Sequence, residues 1–186
     1  MDLSNLQRQI IHRTADIGRP KVESARDTLL ALNPLVEVTA ILKALDEAEL
    51  LEQARRADVV VDACDTLPTR LAINAACVRA GTPLVTGAAI RLEGQVLVWR
   101  PGGEGACYRC LYHEAGMNPE TCAQTGVLAP VVGVIGSLQA VEAIKVLIQL
   151  GEPLDGRLLL FDAKRMEWQT MTVRRWPECP ACGQEG

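Results

Sequence analysis

The sequence predicts an α/β fold in which a doubly wound, mainly parallel sheet continues into an antiparallel part. Helical and extended segments alternate with short connections through the first half of the chain, as they do in parallel sheets. The apolar, β-branched segment from Asp58 to Cys64 is typical of a strand buried in such a sheet. In the second half, two extended segments flank Glu93-Gly94, which indicates antiparallel pairing. We expect a single domain over residues 1–186.

The elements of the first half are predicted from apolar spacing and from residues that start or stop helices. Apolar residues recur at spacings of three and four between 18 and 33, which predicts a helix. Alternation over 36–41 predicts a short strand, and Asp46 is expected to open a second helix because acidic residues fill its first turn. A third helix is expected over 66–80, closed by Gly81 and followed by a strand over 83–86.

The second half is expected to hold one long helix and three further strands. Residues Thr121 to Val141 carry no charge, but polar residues and Pro130 interrupt them. This stretch therefore predicts a loop and then a buried helix, not a membrane span. The expected elements are a helix over 129–150 and strands over 95–99, 157–163 and 168–173.

Composition and charge exclude several classes of protein. Hydrophobic residues make up 48% of the chain and charged residues 23%, which excludes a disordered chain. Nineteen basic and 23 acidic residues give a net charge of −4, and aromatic residues are scarce, which argues against a nucleic-acid surface. The first fifteen residues include charges and lack an apolar run, so no secretion signal is expected. Seven cysteines, an odd number, favour a reduced, cytoplasmic protein.

Two Cys-x-x-Cys pairs are the strongest candidates for a metal site. They are Cys107 with Cys110 and Cys179 with Cys182. Each pair can supply two corners of a tetrahedron, and four thiolates complete a closed structural zinc site. A redox dithiol and two unrelated pairs are the alternatives. A zinc ion with all four positions filled by protein would hold the C-terminal segment to the body of the domain.

The other three cysteines and the two histidines carry weaker signals. Cys64 and Cys77 fall on a predicted strand and helix, so we expect them to be inert core residues. Cys122 differs because it lies in a polar loop. His12 and His113 have no neighbours that suggest a metal site or a catalytic triad, and we expect surface or packing roles for both.

Polar residues near the N-terminus are candidates for binding phosphate. Asn5, Arg8 and Gln9 lie in one short segment. Lys21 stands at the start of the first predicted helix, where free N–H groups and a cation together attract anions. The alternative interpretation is a solvated basic turn.

Asp62 and Asp65 bracket the carboxyl end of the strand predicted over 58–64. Ligands of open α/β sheets bind outside these strand ends, so a carboxylate there could hold Mg²⁺ on a nucleotide. The alternative for Asp65 is a capping role, because it immediately precedes a predicted helix.

Several motifs along the chain resemble those of the ubiquitin-activating superfamily. Within it, the sequence is most similar to the ThiF/MoeB group, that is, the molybdopterin-synthase adenylyltransferases and then the thiamine sulfur-carrier adenylyltransferases. The resemblance runs over essentially all 186 residues and implies a Rossmann-like fold. The matching segments are SNLQRQ at 4–9, GRPKVESA at 18–25, DACDT at 62–66 with Arg70, GAAI at 87–90, GVLAP at 126–130 and the two Cys-x-x-Cys pairs.

The resemblance implies ATP-dependent activation of a carboxylate. The C-terminal glycine of a ubiquitin-like sulfur carrier would attack the α-phosphate of ATP and expel pyrophosphate, leaving an acyl-adenylate. Arg8 and Lys21 would then neutralise charge on the phosphates in the transition state. Asn5 and Gln9 would help to position the phosphates. Asp65 would hold Mg²⁺, a role that outweighs capping once the resemblance is considered.

The resemblance also implies partners for the chain. Members of the group are usually homodimers with two bound carriers, and the small residues of the helix over 129–150 suit such packing. A separate sulfurtransferase would complete the sulfur transfer. Cys122 matches a loop position that some relatives use for thioester or persulfide chemistry, whereas molybdopterin-type members do not depend on it, so we assign it no catalytic role.

The glycine-rich turn of the family, GxGxxG, is not found among the 186 residues. The sequence starts at the SNLQRQ segment and therefore looks like the C-terminal part of an adenylyltransferase. Because the missing turn cradles nucleotide phosphates in the family, the alternative function is a module that binds the carrier without activating it.

Overall fold

A five-stranded sheet with helices on both faces forms the larger of the two units into which the chain divides. The computed structural model describes residues 1–103, 105–112 and 126–183. The two units span Met1–Leu45 and Asp46–Gly186. The single domain expected over residues 1–186 therefore remains a prediction.

The smaller unit is built around one helix. Its N-terminal segment is held at two points: the Met1 amino group donates to the carbonyl of Arg19 at 2.7 Å, and the Thr28 hydroxyl donates to the carbonyl of Ile11 at 2.8 Å. The predicted helix over 18–33 is present but begins after Pro20. The elements of this unit are two 3-10 helices, Leu3–Asn5 and Thr14–Asp16, and helix α1, Lys21–Leu32.

The strand predicted over 36–41 is wrong. The segment alternates in sequence, but no residue of the described ranges pairs with it as a strand. Leu35 is 92% exposed and Val36 is 42% exposed. Alternation alone does not form a strand, because the backbone N–H and C=O groups need a neighbouring strand to bond.

The larger unit holds the predicted α/β sheet. Strands β1 and β2 are parallel, and β2, β3, β4 and β5 pair antiparallel in that order. A parallel part that continues into an antiparallel part is confirmed. In the described residues, however, one pairing is parallel and three are antiparallel, so this part of the sheet is not mainly parallel as expected. The helices are α2 (Glu47–Arg56), α3 (Leu67–Ala80), α4 (Tyr108–Leu111) and α5 (Ala129–Ile148); the strands are β1 (Val60–Asp62), β2 (Leu84–Ile90), β3 (Glu93–Trp99), β4 (Arg157–Asp162) and β5 (Glu167–Thr172).

Two helices of this unit begin and end at the residues that the sequence indicates. The carboxylate of Asp46 accepts a hydrogen bond from the Glu49 N–H at 2.9 Å, and the Glu49 carboxylate accepts one from the Asp46 N–H at 3.2 Å. This reciprocal pair fixes the start of α2. Helix α3 ends at Gly81, whose φ of +68° is left-handed and favours glycine.

Strand β1 is shorter and less buried than predicted. Of residues 58–64 only Val60–Asp62 forms a strand, and the Val61 side chain is 48% exposed. The cause is its place at the edge of the described sheet, where β2 is its one neighbour.

The strand register decides which core each residue joins. Successive side chains of a strand point to opposite faces of the sheet. Leu84 accordingly packs with the four clustered cysteines and with side chains of α2 and α3. Its neighbour Val85 packs with Val96 and Val98 under helix α5. Helices on both faces confirm the doubly wound arrangement.

Helix α5 packs on β2 and β3 through one face. By length and composition alone it could also cross a membrane. Two buried polar side chains bind it to the rest of the unit: Gln139 donates to the carbonyl of Asp62 at 2.7 Å, and Glu142 accepts from the N–H of Leu154 at 2.7 Å. The expectation of a buried helix holds for this face only. The opposite face is apolar and about half exposed, and it comprises Val141, Ile144, Leu147 and Ile148.

Candidate functional site

A buried network of polar side chains holds the carboxyl end of β1. The Asp62 carboxylate accepts hydrogen bonds from the Thr86 hydroxyl at 2.7 Å and from the Cys64 N–H at 2.9 Å. Arg70 of α3 lies 3.5 Å from this carboxylate and donates to the carbonyl of Gly87 at 2.7 Å and to that of Cys64. Both charged side chains are almost fully buried, where only a paired and hydrogen-bonded charge is tolerated. Asp62 therefore has a structural role, because its carboxylate is already bonded to side chains and backbone of the unit.

Gly87 completes this network by leaving room for a side chain of α5. A Cβ atom on Gly87 would lie 2.3 Å from the Cδ atom of Gln139. The Gln139 amide fills that space and donates to the carbonyls of Asp62 at 2.7 Å and Val85 at 3.4 Å. The ends of β1 and β2 are thus fixed by α3 on one face of the sheet and by α5 on the other.

Asp65 is the carboxylate that this scaffold presents to solvent. It lies in the turn between β1 and α3 and is exposed. Its side chain forms no hydrogen bond or ion pair with a described residue, and the N-cap residue of α3 is Thr66, without a side-chain capping bond. The capping alternative for Asp65 has no support in these contacts. The carboxylate is available to a ligand.

The N-terminal candidates all lie in the smaller unit. Arg8 donates to the Asn5 side-chain oxygen at 2.9 Å and to the Ser4 carbonyl at 3.1 Å, so the structure brings Asn5 and Arg8 together. The Gln9 side-chain oxygen is buried and finds no hydrogen-bond partner among the described residues. Lys21 is the first residue of α1, and its exposed ammonium group bonds to no described residue. Asp65 belongs to the larger unit.

The histidines take no part in this set. His12 is buried, and its Nδ1 lies 2.8 Å from the Ser24 hydroxyl. Burial lowers the pKa of His12, and the nearby positive charge of Lys21 lowers it further. A packing role for His12 agrees with this environment. His113 and Cys122 lie outside the described residues.

Four buried cysteines converge in the larger unit. The sulfur–sulfur distances are 3.9 Å from Cys107 to Cys110, 3.8 Å from Cys107 to Cys179 and 3.5 Å from Cys110 to Cys182. All four sulfurs lie within 4.8 Å of one another. A tetrahedral zinc ion with bonds of about 2.3 Å would hold its sulfur ligands about 3.8 Å apart. The donor set and its spacing therefore fit zinc.

Hydrogen bonding within the cluster already favours one thiolate. Cys107 bonds to Cys110, which lowers the pKa of Cys110 to about 5 and raises the pKa of Cys107. Metal ligation needs thiolates. Cys110 is thus prepared to bind a cation.

Asn74 of α3 connects this cluster to the rest of the unit. Its side chain is fully buried, and its Nδ2 donates to the Cys107 sulfur at 3.6 Å. Its Oδ1 accepts from the N–H of Tyr108 at 2.9 Å. Arg70, one helical turn earlier, lies with its guanidinium carbon 5.8 Å from the centre of the Tyr108 ring. One face of α3 therefore touches both the Asp62 network and the cysteine cluster.

The two remaining described cysteines are shielded. Burial raises the pKa of Cys64 and of Cys77 to about 12. Cys77 is fully buried and Cys64 is half-buried. Both thiols stay protonated near neutral pH. Cys77 lies in the core as expected, whereas Cys64 follows β1 and lies outside both core clusters.

Comparison with known proteins identifies the family to which this chain belongs. The model of the ThiF family matches residues 1–181. The chain belongs to the ThiF family. The resemblance inferred from the motifs is confirmed.

Curated relatives of this ThiF-family chain are adenylyltransferases. The molybdopterin-synthase adenylyltransferase of Escherichia coli (strain K12) is 47% identical over 99% of the chain and 74% of that protein. The sulfur carrier protein ThiS adenylyltransferase of the same organism is 46% identical over 97% of the chain and 72% of its own length. The chain is therefore a member of an adenylyltransferase family.

Solved structures agree on the fold. E. coli MccB, crystallised with ATP, superposes with a TM-score of 0.81 and is 25% identical in sequence. The match covers 98% of this ThiF-family chain and 56% of MccB, so the chain spans little more than half of that protein's length. The Rossmann-like α/β fold is confirmed.

Three buried polar residues that hold the site were not predicted from the sequence. They are Asn74, Thr86 and Gln139. Each is a polar residue whose two sequence neighbours are apolar or glycine. Because buried polar groups are nearly always hydrogen-bonded, such a residue signals a partner, although not which one.

Proposed function

We propose that this chain adenylates the C-terminal glycine carboxylate of a ubiquitin-like sulfur carrier, of the molybdopterin-synthase or thiamine type. The main observation behind the proposal is the exposed Asp65 carboxylate at the carboxyl end of β1, next to a network of buried polar groups. The chain is also 47% identical to a molybdopterin-synthase adenylyltransferase. In the reaction, a carboxylate oxygen forms a bond to the α-phosphorus of ATP. The bond from that phosphorus to the bridging oxygen breaks, and pyrophosphate leaves with the electron pair.

Asp65 is the proposed ligand of Mg²⁺. An exposed carboxylate with no hydrogen-bond or ion-pair partner among the described residues suits a hard cation, which prefers oxygen ligands. When bound, Mg²⁺ would neutralise charge on the triphosphate. Asp62 cannot share this role, because its oxygens already accept hydrogen bonds from Cys64 and Thr86.

Arg8 and Lys21 are the proposed cations for the phosphates. Arg8 donates through one terminal nitrogen to Asn5 and through the other to the Ser4 carbonyl, and the remaining N–H groups of its guanidinium can bind a ligand. Lys21 carries an exposed ammonium group at the start of α1, where free backbone N–H groups also attract anions. Gln9 is proposed to help position the phosphates with its amide.

Zinc at the four cysteines is proposed as a structural ion. The residues that would hold it are Cys107, Cys110, Cys179 and Cys182, and their spacing supports this. Four protein ligands leave no position for a substrate. We expect about one zinc ion per chain, bound as a link between α4 and the C-terminal segment.

We further propose that the chain acts as a cytoplasmic homodimer with two carriers, served by a separate sulfurtransferase. The support for a dimer is the apolar outer face of α5, where Ile144 is 53% exposed and Ile148 is 63% exposed. Light scattering of the purified chain measures the mass directly. A monomer at micromolar concentration would refute the dimer.

Carrier-dependent exchange of pyrophosphate into ATP tests the proposed reaction. We expect exchange with a carrier that ends in a free glycine carboxylate and none with the same carrier amidated at that glycine. Asp65→Ala should abolish the exchange. Asp58→Ala is the matched control, because Asp58 is an exposed carboxylate just before β1, at the other end of the same strand. Equal exchange by the Asp65 variant and the parent would refute the role of Asp65.

The alternative function is a module that binds the carrier without activating it. Calorimetry distinguishes the two functions. Binding of the carrier with no binding of ATP supports the module, whereas measurable ATP binding by the chain supports the enzyme.

A further inference from the structure

An arginine-lined groove opens at the end of the sheet away from Asp65. Strands β3 and β5 run antiparallel to β1 and β2, so the carboxyl ends of β3 and β5 lie at the opposite end of the sheet from the carboxyl ends of β1 and β2. There a groove with a volume of about 810 Å³ lies between the residues that follow β3, those that precede β4 and those that follow β5. Its charged lining residues are Arg100, Arg157, Arg174, Arg175, Glu152 and Asp155.

The groove has a surplus of positive charge. Among the described lining residues, four guanidinium groups and two carboxylates give a difference of two positive charges, although the whole chain has a net charge of −4. Asp155 balances one of the arginines, since Arg100 Nε donates to its Oδ2 at 3.2 Å. Arg157 donates to the carbonyl of Pro153 at 2.9 Å, and Arg174 forms no hydrogen bond or ion pair within the described ranges. Bonds to carbonyls leave the charge of an arginine uncompensated.

These contacts also hold two guanidinium groups ready for a ligand. The hydrogen bond of Arg100 occupies Nε, and those of Arg157 occupy one terminal nitrogen. The remaining N–H groups of each fork can bind a carboxylate or a phosphate with two parallel hydrogen bonds. Because the side chains are already fixed, less conformational entropy is lost when a ligand binds.

Asp155 distinguishes a peptide that carries carboxylates from an inorganic phosphate ligand. Its Oδ1 is buried and has no hydrogen-bond partner in the described residues. An unpaired buried acceptor favours a ligand that brings an N–H group as well as negative charge. A peptide with acidic side chains supplies both, through its backbone and its carboxylates. Pyrophosphate supplies negative charge and acceptors but no N–H group.

We propose that this groove is a docking site for an acidic peptide segment of a partner protein. The site is separate from the turn that carries Asp65, and it does not depend on adenylation. Its recognition elements are the forks of Arg100, Arg157 and Arg174 for side-chain carboxylates and the Asp155 carboxylate for backbone N–H.

Fluorescence anisotropy with a fluorescein-labelled hexaglutamate peptide tests this proposal. We expect the parent chain to bind hexaglutamate and to ignore hexaglutamine. Arg174→Glu should weaken the binding by about tenfold, because one attraction becomes a repulsion. Arg56→Glu is the matched control, since Arg56 is exposed at the end of α2, outside the groove, and the change in charge is the same. Equal weakening by both variants would overturn the proposal, as would binding of hexaglutamine.

Two further measurements separate the proposed ligand from other anions. Pyrophosphate, added at matched ionic strength, should not displace the peptide, and displacement at concentrations similar to the peptide's own would assign the groove to phosphates. Hydrogen exchange of the parent chain with the peptide should slow at residues 151–157 and 172–175, which include the groove lining. Protection confined to other segments would overturn the site without relying on any variant.

Discussion

Replacing Asn74 by leucine should weaken the four-cysteine centre and the larger unit together. Asn74 is fully buried between Cys107 and Tyr108. Its side chain donates a hydrogen bond to the Cys107 sulfur and accepts one from the Tyr108 N–H. Leucine has nearly the same shape but can form neither bond. Asn74→Leu therefore removes two polar contacts and leaves the space filled.

The size of the effect follows from what is left unpaired. The N–H of Tyr108 at the start of α4 would lose its partner, and an unsatisfied buried donor costs about 1–3 kcal/mol. The Cys107 sulfur would lose an N–H donor, and loss of such a contact beside a metal ligand lowers metal affinity about 10–100-fold. Part of the loss is offset by the apolar leucine. We expect the free energy of unfolding to fall by about 2–3 kcal/mol and the melting temperature by about 4–12 °C.

Cobalt binding and zinc release measure the two effects separately. The thiolate-to-cobalt absorption band reports on the electron density at the sulfurs, so its position should shift in Asn74→Leu, and zinc should pass to a chelator faster than from the parent. Thr82→Val is the matched control: the Thr82 hydroxyl is buried and donates to the carbonyl of Ala54 at 2.7 Å, and it bonds to none of the four clustered cysteines. The control should lose stability and keep the parent's cobalt band. An unshifted band and an unchanged release rate in Asn74→Leu would show that the Asn74 side chain does not influence the cysteine cluster.

Four further predictions concern the cores and the thiols. Gly87→Ala should destabilise the fold by about 1–3 kcal/mol in urea unfolding, because its Cβ would lie 2.3 Å from Cδ of Gln139; an unchanged midpoint would contradict this. Cys182→Ser should leave well under one zinc ion per chain by elemental analysis, and a full equivalent would contradict the assignment of Cys182 as a zinc ligand. Cys64 and Cys77 should resist iodoacetamide at pH 8, as followed by mass spectrometry, because burial raises their pKa from 9.0 to about 12. Their raised pKa also stabilises the fold below pH 9, and this contribution should decline as the pH rises from 9 towards 12.

Local signals in the sequence were sufficient where a few neighbouring residues decide the structure. The start of α2 at Asp46 and the end of α3 at Gly81 depend on capping and on a left-handed backbone, both of which can be read from adjacent residues. The two Cys-x-x-Cys pairs likewise indicated a cluster, because the residue type itself restricts the possible partners. Long-range partners were not predictable in this way.

The errors arose where a remote partner decides the outcome. Segment 36–41 alternates as a strand should, yet no described strand pairs with it, and alternation contains no information about a neighbour. Asp62 and Asp65 are equivalent in the sequence as carboxylates near a strand end. Only the approach of Thr86 and Arg70 commits Asp62 to the scaffold and leaves Asp65 exposed.

The four-cysteine cluster also bears on the order in which the chain folds. Its two pairs stand 72 residues apart, and α5, β4 and β5 lie between them. Either pair alone offers two ligands, too few for a closed zinc site. The complete set exists only after β4 has paired with β3 and the C-terminal segment has reached α4. High-affinity capture of the proposed zinc ion would therefore be a late event of folding, and its time course during refolding would report when the larger unit is completely assembled.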